Sequence, residues 1–348
     1  FNFNFSKSPS IFSAIYRQNL VPLHVFIHPY MRKLIYIIAA LFLLSVNSAT
    51  MAAPKIAINI IINGMQAVDL ERYGNNFGEG GFRRITSGGT ICTECYTDFT
   101  PTSQSMALAT LATGTLPSMH GIVSMQWYDR NNDSAPWEDT AHNGINSGYD
   151  SSHFTAETLA QAVTASHPQS RAITIAQTSQ SAIALAGSNG ECYWIDKSGR
   201  WATASCYAES LPSWVNGYNL VGMNRVFAIG TWFGKYGKSQ YHNEFATVVK
   251  VYDSAVAQQA NKAPLSDWVD ELRYTPAGNG ATFEFAKRCI DQLLDAKNEG
   301  GCRLLNICLD TPCNIVERYG TNSIEYEDML YCLDTPLAEF FAHLYSKT

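Results

Sequence analysis

Hydroxyls gathered at the head of a helix are the feature of this sequence that points most directly to chemistry. From Thr97 the chain reads TDFTPTSQSMALATLATG, a turn rich in Thr and Ser that runs into an apolar stretch stopped by Gly114. Pro117-Ser118-Met119-His120-Gly121 follows. A helix N-terminus offers free N–H groups and the positive end of its dipole to a phosphate. A hydroxyl placed there would suit phosphate transfer, while Thr102 and Ser103 also suit plain helix capping. Cys92 and Cys95 form a CxxC with no helix start behind them, and read as a local disulfide or buried thiols.

Two glycine-rich stretches lack the spacing their chemistry needs. GTWFGKYGKS ends like a phosphate loop but has Trp232 where the first Gly belongs, and GEGGFR places Arg83 at the last Gly of GxGxxG.

Positioning such residues falls to strands and helices. Ile56–Ile62, Ala172–Ala176 and Leu304–Leu309 are short β-rich runs. The first and third are almost wholly apolar, as expected of parallel strands buried on both faces. Helical spacing appears in 155–166, in 283–296 and in 337–345, where Pro336 is expected in the first turn. Strands alternating with helices predict an α/β fold with crossover connections. The aromatic and Gly-rich middle, 186–275, reads as an inserted cap, with Trp194, Trp201, Trp214 and Trp232 in its core. Ligands of such sheets bind at the carboxyl ends of strands. That singles out Asn63-Gly64, Thr178 to Gln180, and Asp310 to Glu317.

Composition narrows the class. With 46% hydrophobic and 16% charged residues and a net charge of −6, the chain is globular and has no electrostatic case for nucleic acid. Met31-Arg32-Lys33, the apolar run Leu34–Val46 and small residues near Ala49–Ala53 have the pattern of a secretory signal. The run is too short to favour a membrane span. Residues 1–30 are expected to be an upstream segment without structural role, 31–53 the signal, and 54–348 the folded domain of an exported, periplasmic or secreted protein. Nine cysteines leave at least one unpaired within the chain.

Taken in order, PKIAINIIINGM (54–65), GEGGFRRI (78–85), the stretch 97–130, YWID with GRWATASCY (193–207), LPSWVNGYN (211–219), TPAGN (275–279) and YGTNSIEYED (319–328) resemble the alkaline phosphatase superfamily. The resemblance is to its secreted bacterial alkaline phosphatases in the type I phosphodiesterase/nucleotide pyrophosphatase branch. It implies a mostly parallel sheet flanked by helices, with a cap. It also implies two zinc ions and a Thr or Ser nucleophile at a helix N-terminus that forms a phospho-enzyme.

The positions that match those roles are all substituted. The nucleophile falls on Gln104, whose carboxamide cannot attack phosphorus. The phosphoryl-contacting Asn falls on Met125, which donates nothing. The Lys-x-Arg clamp becomes Thr178 and Gln180, the Asp ending the first strand becomes Asn63, and the Asp and His four apart become Cys313 and Glu317. The remaining family ligands, an Asp-His pair and a later His, would fall beyond Thr348, so the fold is expected to be incomplete at its C-terminus relative to the family. His120 matches the family, where it is structural. A catalytically silent phosphatase-like protein with a scaffold or binding role is therefore expected, without cofactor and with partners unspecified. The alternative is a zinc-dependent phosphate-ester hydrolase using Ser103 or Ser105 with metal at Cys313 and Glu317. A third possibility is a decaying product whose unfinished sheet exposes an edge.

Overall fold

The three apolar runs become three neighbouring parallel strands. In the computed structural model, which describes residues 56–100, 103–125, 140–142, 145–147, 151–221, 232–243, 265–295 and 300–348, one sheet contains β1 (Ala57–Ile62), β2 (Thr140–His142), β3 (Ile145–Ser147), β4 (Arg171–Ala176), β5 (Glu191–Ile195), β6 (Trp201–Ala204) and β7 (Arg303–Leu309). Their order is β1-β7-β4-β5-β6-β3-β2. The pairs β1–β7, β7–β4, β4–β5 and β3–β6 are parallel, whereas β5–β6 and β2–β3 are antiparallel. The expected upstream segment 1–30, the signal at 31–53, and 126–130 lie outside the described residues.

Around the sheet run α1 (Ala67–Arg72), α2 (Phe82–Gly88), α3 (Gln104–Thr113), α4 (Pro117–His120), α5 (Leu159–Ser166), α6 (Ser179–Ala186), α7 (Ser213–Val221), α8 (Leu265–Leu272), α9 (Pro276–Leu293), α10 (Thr311–Tyr319) and α11 (Ile324–Lys347). Successive strand residues face opposite sides, and the core divides accordingly. Ile173, Ile175, Leu305, Ile307 and Leu309 pack with Phe283, Phe285 and Ile290 of α9 and Tyr326, Met329 and Phe340 of α11. On the other face Ala176, Cys192, Trp194 and Cys308 meet Leu108 of α3 and Ala182 to Ala186 of α6. Register is marked by a polar ladder: Asn59 pairs with Asn306 and Asn306 with Thr174. Asn59 Nδ2 donates to Asn306 Oδ1 at 2.9 Å, and Asn306 Nδ2 to Thr174 Oγ1 at 3.1 Å. Slipping one strand by a residue would leave the buried Asn306 amide unpaired, which costs about 1–3 kcal/mol.

Two expectations are corrected. The segment 186–275 is not all cap, because β5 and β6 belong to the sheet. Their alternation is hard to read because ECYWI and WATA are short and carry bulky residues on both faces. Trp201 stacks on Phe285 with ring centroids 4.0 Å apart, so it is sheet core and not cap core. Pro336 lies inside α11, not in the first turn of a later helix. Burial of Tyr326, Met329, Leu330, Leu333, Leu337 and Phe340 along one continuous helix outweighs the hydrogen bond that the proline lacks.

Candidate functional site

The carboxyl ends of β1, β4 and β7 and the start of α3 bring most of the expected positions together. Ser103 caps α3, its Oγ accepting from Met106 N at 3.3 Å, and Gly114 ends the helix in the left-handed conformation at φ 65°. Gln104 is therefore the first helical residue, where the resemblance expects an attacking hydroxyl. Its amide instead donates to two neighbours: Ser181 Oγ at 2.6 Å and Asp310 Oδ1.

Asp310 is the centre of this arrangement; sequence reasoning reached it only as the first residue of the strand-end segment 310–317, with no role assigned. It follows β7 directly and shares the side of Cys308, so strand alternation turns it toward α3 and α6. Thr178 donates to Asp310 Oδ2 through both N and Oγ1, each at 3.0 Å. Ser181 Oγ donates to Oδ1 at 2.7 Å, and the Cys308 thiol approaches the same oxygen at 3.4 Å. Asp310 and Ser181 are fully buried. Burial pushes the Asp310 carboxyl above its ordinary range, while the hydrogen bonds from Ser181, Cys308 and Thr178 pull the other way. Its position at the end of a strand marked the segment but not the role. The sequence Asp-Thr-Pro reads as an ordinary helix cap.

The other family positions hold no charge that could grip a dianion. Thr178 caps α6, accepting from Ser181 N at 3.3 Å, and Gln180 Oε1 accepts from Ser179 Oγ at 3.2 Å. Met125 is exposed. Asn63 Nδ2 is buried with no hydrogen-bond partner among the described residues. The turn after it needs glycine, because Gly64 has φ +85° and an added Cβ would come within 2.7 Å of Cys313 Cα.

Cys313 and Glu317 do face each other, with Sγ 3.7 Å from Glu317 Oε1. Burial, with the nearby Glu317 and Asp310 carboxylates, pushes the Cys313 thiol up to about 11. A catalytic zinc site usually needs three protein ligands, and no group of three or more His, Cys, Asp or Glu able to hold a metal occurs among the described residues. These residues do not fit the zinc site the resemblance implies. The alternative nucleophiles fit no better. Ser103 is committed to its cap, and Ser105 is fully buried with Oγ unpartnered. His120 is also buried. Its Nδ1 accepts from Ile122 N at 3.1 Å and Nε2 contacts Thr110 Oγ1 at 3.0 Å, so it ties α4 to α3.

Cys92 and Cys95 are exposed, which corrects the reading of them as buried thiols. A groove of about 630 Å³ lies on the opposite face of the sheet, lined by Trp214, Tyr218, Glu284, Arg288 and Glu339. Among the described residues, no helix is long and apolar enough to cross a membrane.

Comparison with known proteins agrees with this architecture. A family model described as type I phosphodiesterase/nucleotide pyrophosphatase matches residues 57–347. Alkaline phosphatase PafA of Elizabethkingia meningoseptica is 25% identical over 316 residues, covering 84% of this chain and 57% of its own length. Alkaline phosphatase PhoV of Synechococcus elongatus is 26% identical, covering 86% and 57%. The crystal structure of wild-type PafA matches with a TM-score of 0.74 at 25% identity, over 85% of this chain and 60% of that one. The chain thus spans under three-fifths of the length of these curated relatives. It belongs to the type I phosphodiesterase/nucleotide pyrophosphatase family and has an alkaline-phosphatase-like fold.

Proposed function

We propose that this chain is an exported, catalytically silent member of its family, keeping the phosphatase scaffold for a holding or assembly role. The observation that carries the reading is the Gln104 amide, at the nucleophile position, bonded to the buried Asp310 carboxylate and to Ser181 Oγ. Relatives bearing the name alkaline phosphatase need a group that attacks phosphorus. An amide supplies none, and a carboxylate behind it repels a phosphate dianion. Removing a nucleophile costs about 10⁶ in rate and removing an oxyanion donor about 10² to 10³. Such losses do not simply multiply, but here nucleophile, donor, cationic clamp and the metal positions at Asn63, Cys313 and Glu317 are all replaced. Export rests on the basic, apolar and small-residue pattern of 31–53.

The test is hydrolysis of p-nitrophenyl phosphate and bis-p-nitrophenyl phosphate by the purified chain with added zinc. The expected rate equals the buffer rate. Turnover that follows zinc and vanishes on chelation would refute the reading.

A further inference from the structure

Asp310 does something an aspartate at its place ordinarily does not. It is the N-cap residue of α10, yet its side chain makes no capping bond to that helix. The carboxylate is turned instead into the strand-end cluster. There it meets the Gln104 amide, the Ser181 hydroxyl, the Thr178 N–H and hydroxyl, and the Cys308 thiol. No ion pair to it is formed among the described residues, and Arg273 supplies only a weak attraction. A fully buried carboxylate held by dipoles in place of a cation is the arrangement by which proteins seat oxyanions. Two of its donors, Gln104 and Thr178, occupy the positions that the family resemblance gives to attack on, and grip of, a phosphoryl group.

We infer that Asp310 is an internal oxyanion occupying a seat built for an external one, and that removing its carboxylate opens a site for small oxyanions such as formate or inorganic phosphate. This occupancy presupposes the silent site proposed above. The donors belong to three separate elements: α3 carries Gln104, the start of α6 carries Thr178 and Ser181, and β7 carries Cys308. They converge within hydrogen-bonding distance of one carboxylate, so a hole left there is lined with polar hydrogens seeking an acceptor. A dry hole of that kind is unfavourable, and a small anion restores what the side chain supplied. Formate has the size of the lost group. Phosphate is larger and tests whether the seat still admits the ligand of the family's chemistry.

Chemical rescue is the experiment. Thermal melts of wild type, Asp310→Ala and the neutral isostere Asp310→Asn would be recorded in sodium formate, sodium phosphate and sodium chloride at matched ionic strength. Asp310→Ala is expected to melt below wild type and to recover saturably with formate and phosphate but not chloride. At about 100 dissociation constants of formate its folding equilibrium should rise about 100-fold. Wild type and Asp310→Asn, whose seats stay filled, should show no such response. If Asp310→Ala does not fold unaided, its refolding yield in formate against chloride gives the same readout. A folded Asp310→Ala without anion response, an unfolded one without formate recovery, or a wild type that responds equally would each overturn the inference. Hydrolysis by wild type would instead overturn the silent site, and is measured separately.

Discussion

Two regions of this protein bury carboxylates without burying a matching cation on each, and they do so for different ends. Along α11, Glu327 and Asp328 fasten the passing segment 232–243. Asp328 accepts from Trp232 Nε1 at 2.5 Å, from Lys235 N at 2.7 Å and from Tyr241 OH. Glu327 accepts from His242 N at 2.8 Å, Asn243 N at 2.9 Å and Tyr331 OH at 2.6 Å. Asp334 likewise holds Gly78 N and Phe82 N, both at 2.7 Å. At the end of β7, Asp310 gathers mostly side chains: an amide, two hydroxyls and a thiol. What differs is the partner. The α11 carboxylates take backbone N–H groups of Lys235, His242, Asn243, Gly78 and Phe82 together with the side chains of Trp232, Tyr241 and Tyr331, and so tie passing loops to a helix. The Asp310 cluster is stitched through the very positions where the family resemblance places chemistry. On the proposed reading, the strand ends act as a joint between α3, α6 and β7, chemically similar to the α11 fastening.

If both regions are joints, cutting either should lower stability, and the α11 joint should matter most. Asp328→Ala strands the Trp232 Nε1, the Lys235 N–H and the Tyr241 hydroxyl together. At about 1–3 kcal/mol per stranded buried donor, and allowing for non-additivity, the loss should be about 3–5 kcal/mol in urea unfolding. Limited proteolysis should then cut within 232–243 first. A loss under about 1 kcal/mol would mean the segment is not held by this carboxylate.

Gln104→Thr probes the other joint by restoring the hydroxyl that the family resemblance expects. It removes the amide bonds to Asp310 and Ser181, so stability should fall by about 1–2 kcal/mol. Phosphate-ester hydrolysis should stay at the buffer rate, since among the described residues no metal-holding group of three ligands occurs and the clamp positions hold Thr178 and Gln180. Measurable turnover would show that the site is one substitution from activity and not a joint.

A smaller effect separates the two regions by pH. The Asp310 carboxyl is raised by burial above its ordinary 3.8, so it binds its proton more tightly folded than unfolded. Its contribution is intact below 3.8 and is lost as pH rises through the folded value. Asp310→Asn cannot ionise and lacks that loss. The unfolding free energy of wild type minus that of Asp310→Asn should therefore decrease as pH is raised from 3.8 through that window. A difference that is flat or increasing would place the carboxylate in a better solvated setting than the one described.

The sheet was legible in the sequence where physics leaves a one-dimensional trace. IAINIII and LLNICL are apolar on both faces, which is the mark of a central parallel strand. LLNICL is one, buried as β7 between β1 and β4. IAINIII became β1, an edge strand that stays partly exposed, a correction to the expectation that it is buried on both faces. ECYWI and WATA gave no such trace, because a short strand between aromatic helices resembles a packed loop. Pro336 misled for a related reason: local propensity marks a helix start, and the burial that overrides it depends on α9, nearly fifty residues earlier. At the site, Gln104, Thr178 and Cys313 were found by position within recognisable motifs. Asp310 was marked only as the start of a strand-end segment, because its role comes from strand parity and from the approach of α3 and α6, neither of which adjacent residues reveal. An offset also hides it: the family positions compared in LDTPCNIVERYG were Cys313 and Glu317, three and seven residues further on.

That offset makes Cys313 the finest test of the comparison. Were Cys313 a remnant metal ligand, the strand ends would still differ in kind from the α11 joint. With its thiol pushed up to about 11, only about one in 10⁴ is ionised at pH 7, and Glu317 beside it raises the thiol further instead of sharing a cation. Cys313→Ser should therefore change stability by no more than about 0.5 kcal/mol, and zinc should leave the melting temperatures of both proteins where they were. A zinc-dependent rise in wild type that disappears in Cys313→Ser would put a charged, metal-holding pair back beside Gly64. The Asp310 cluster would then be the margin of a working centre, and the likeness between the two joints would end there.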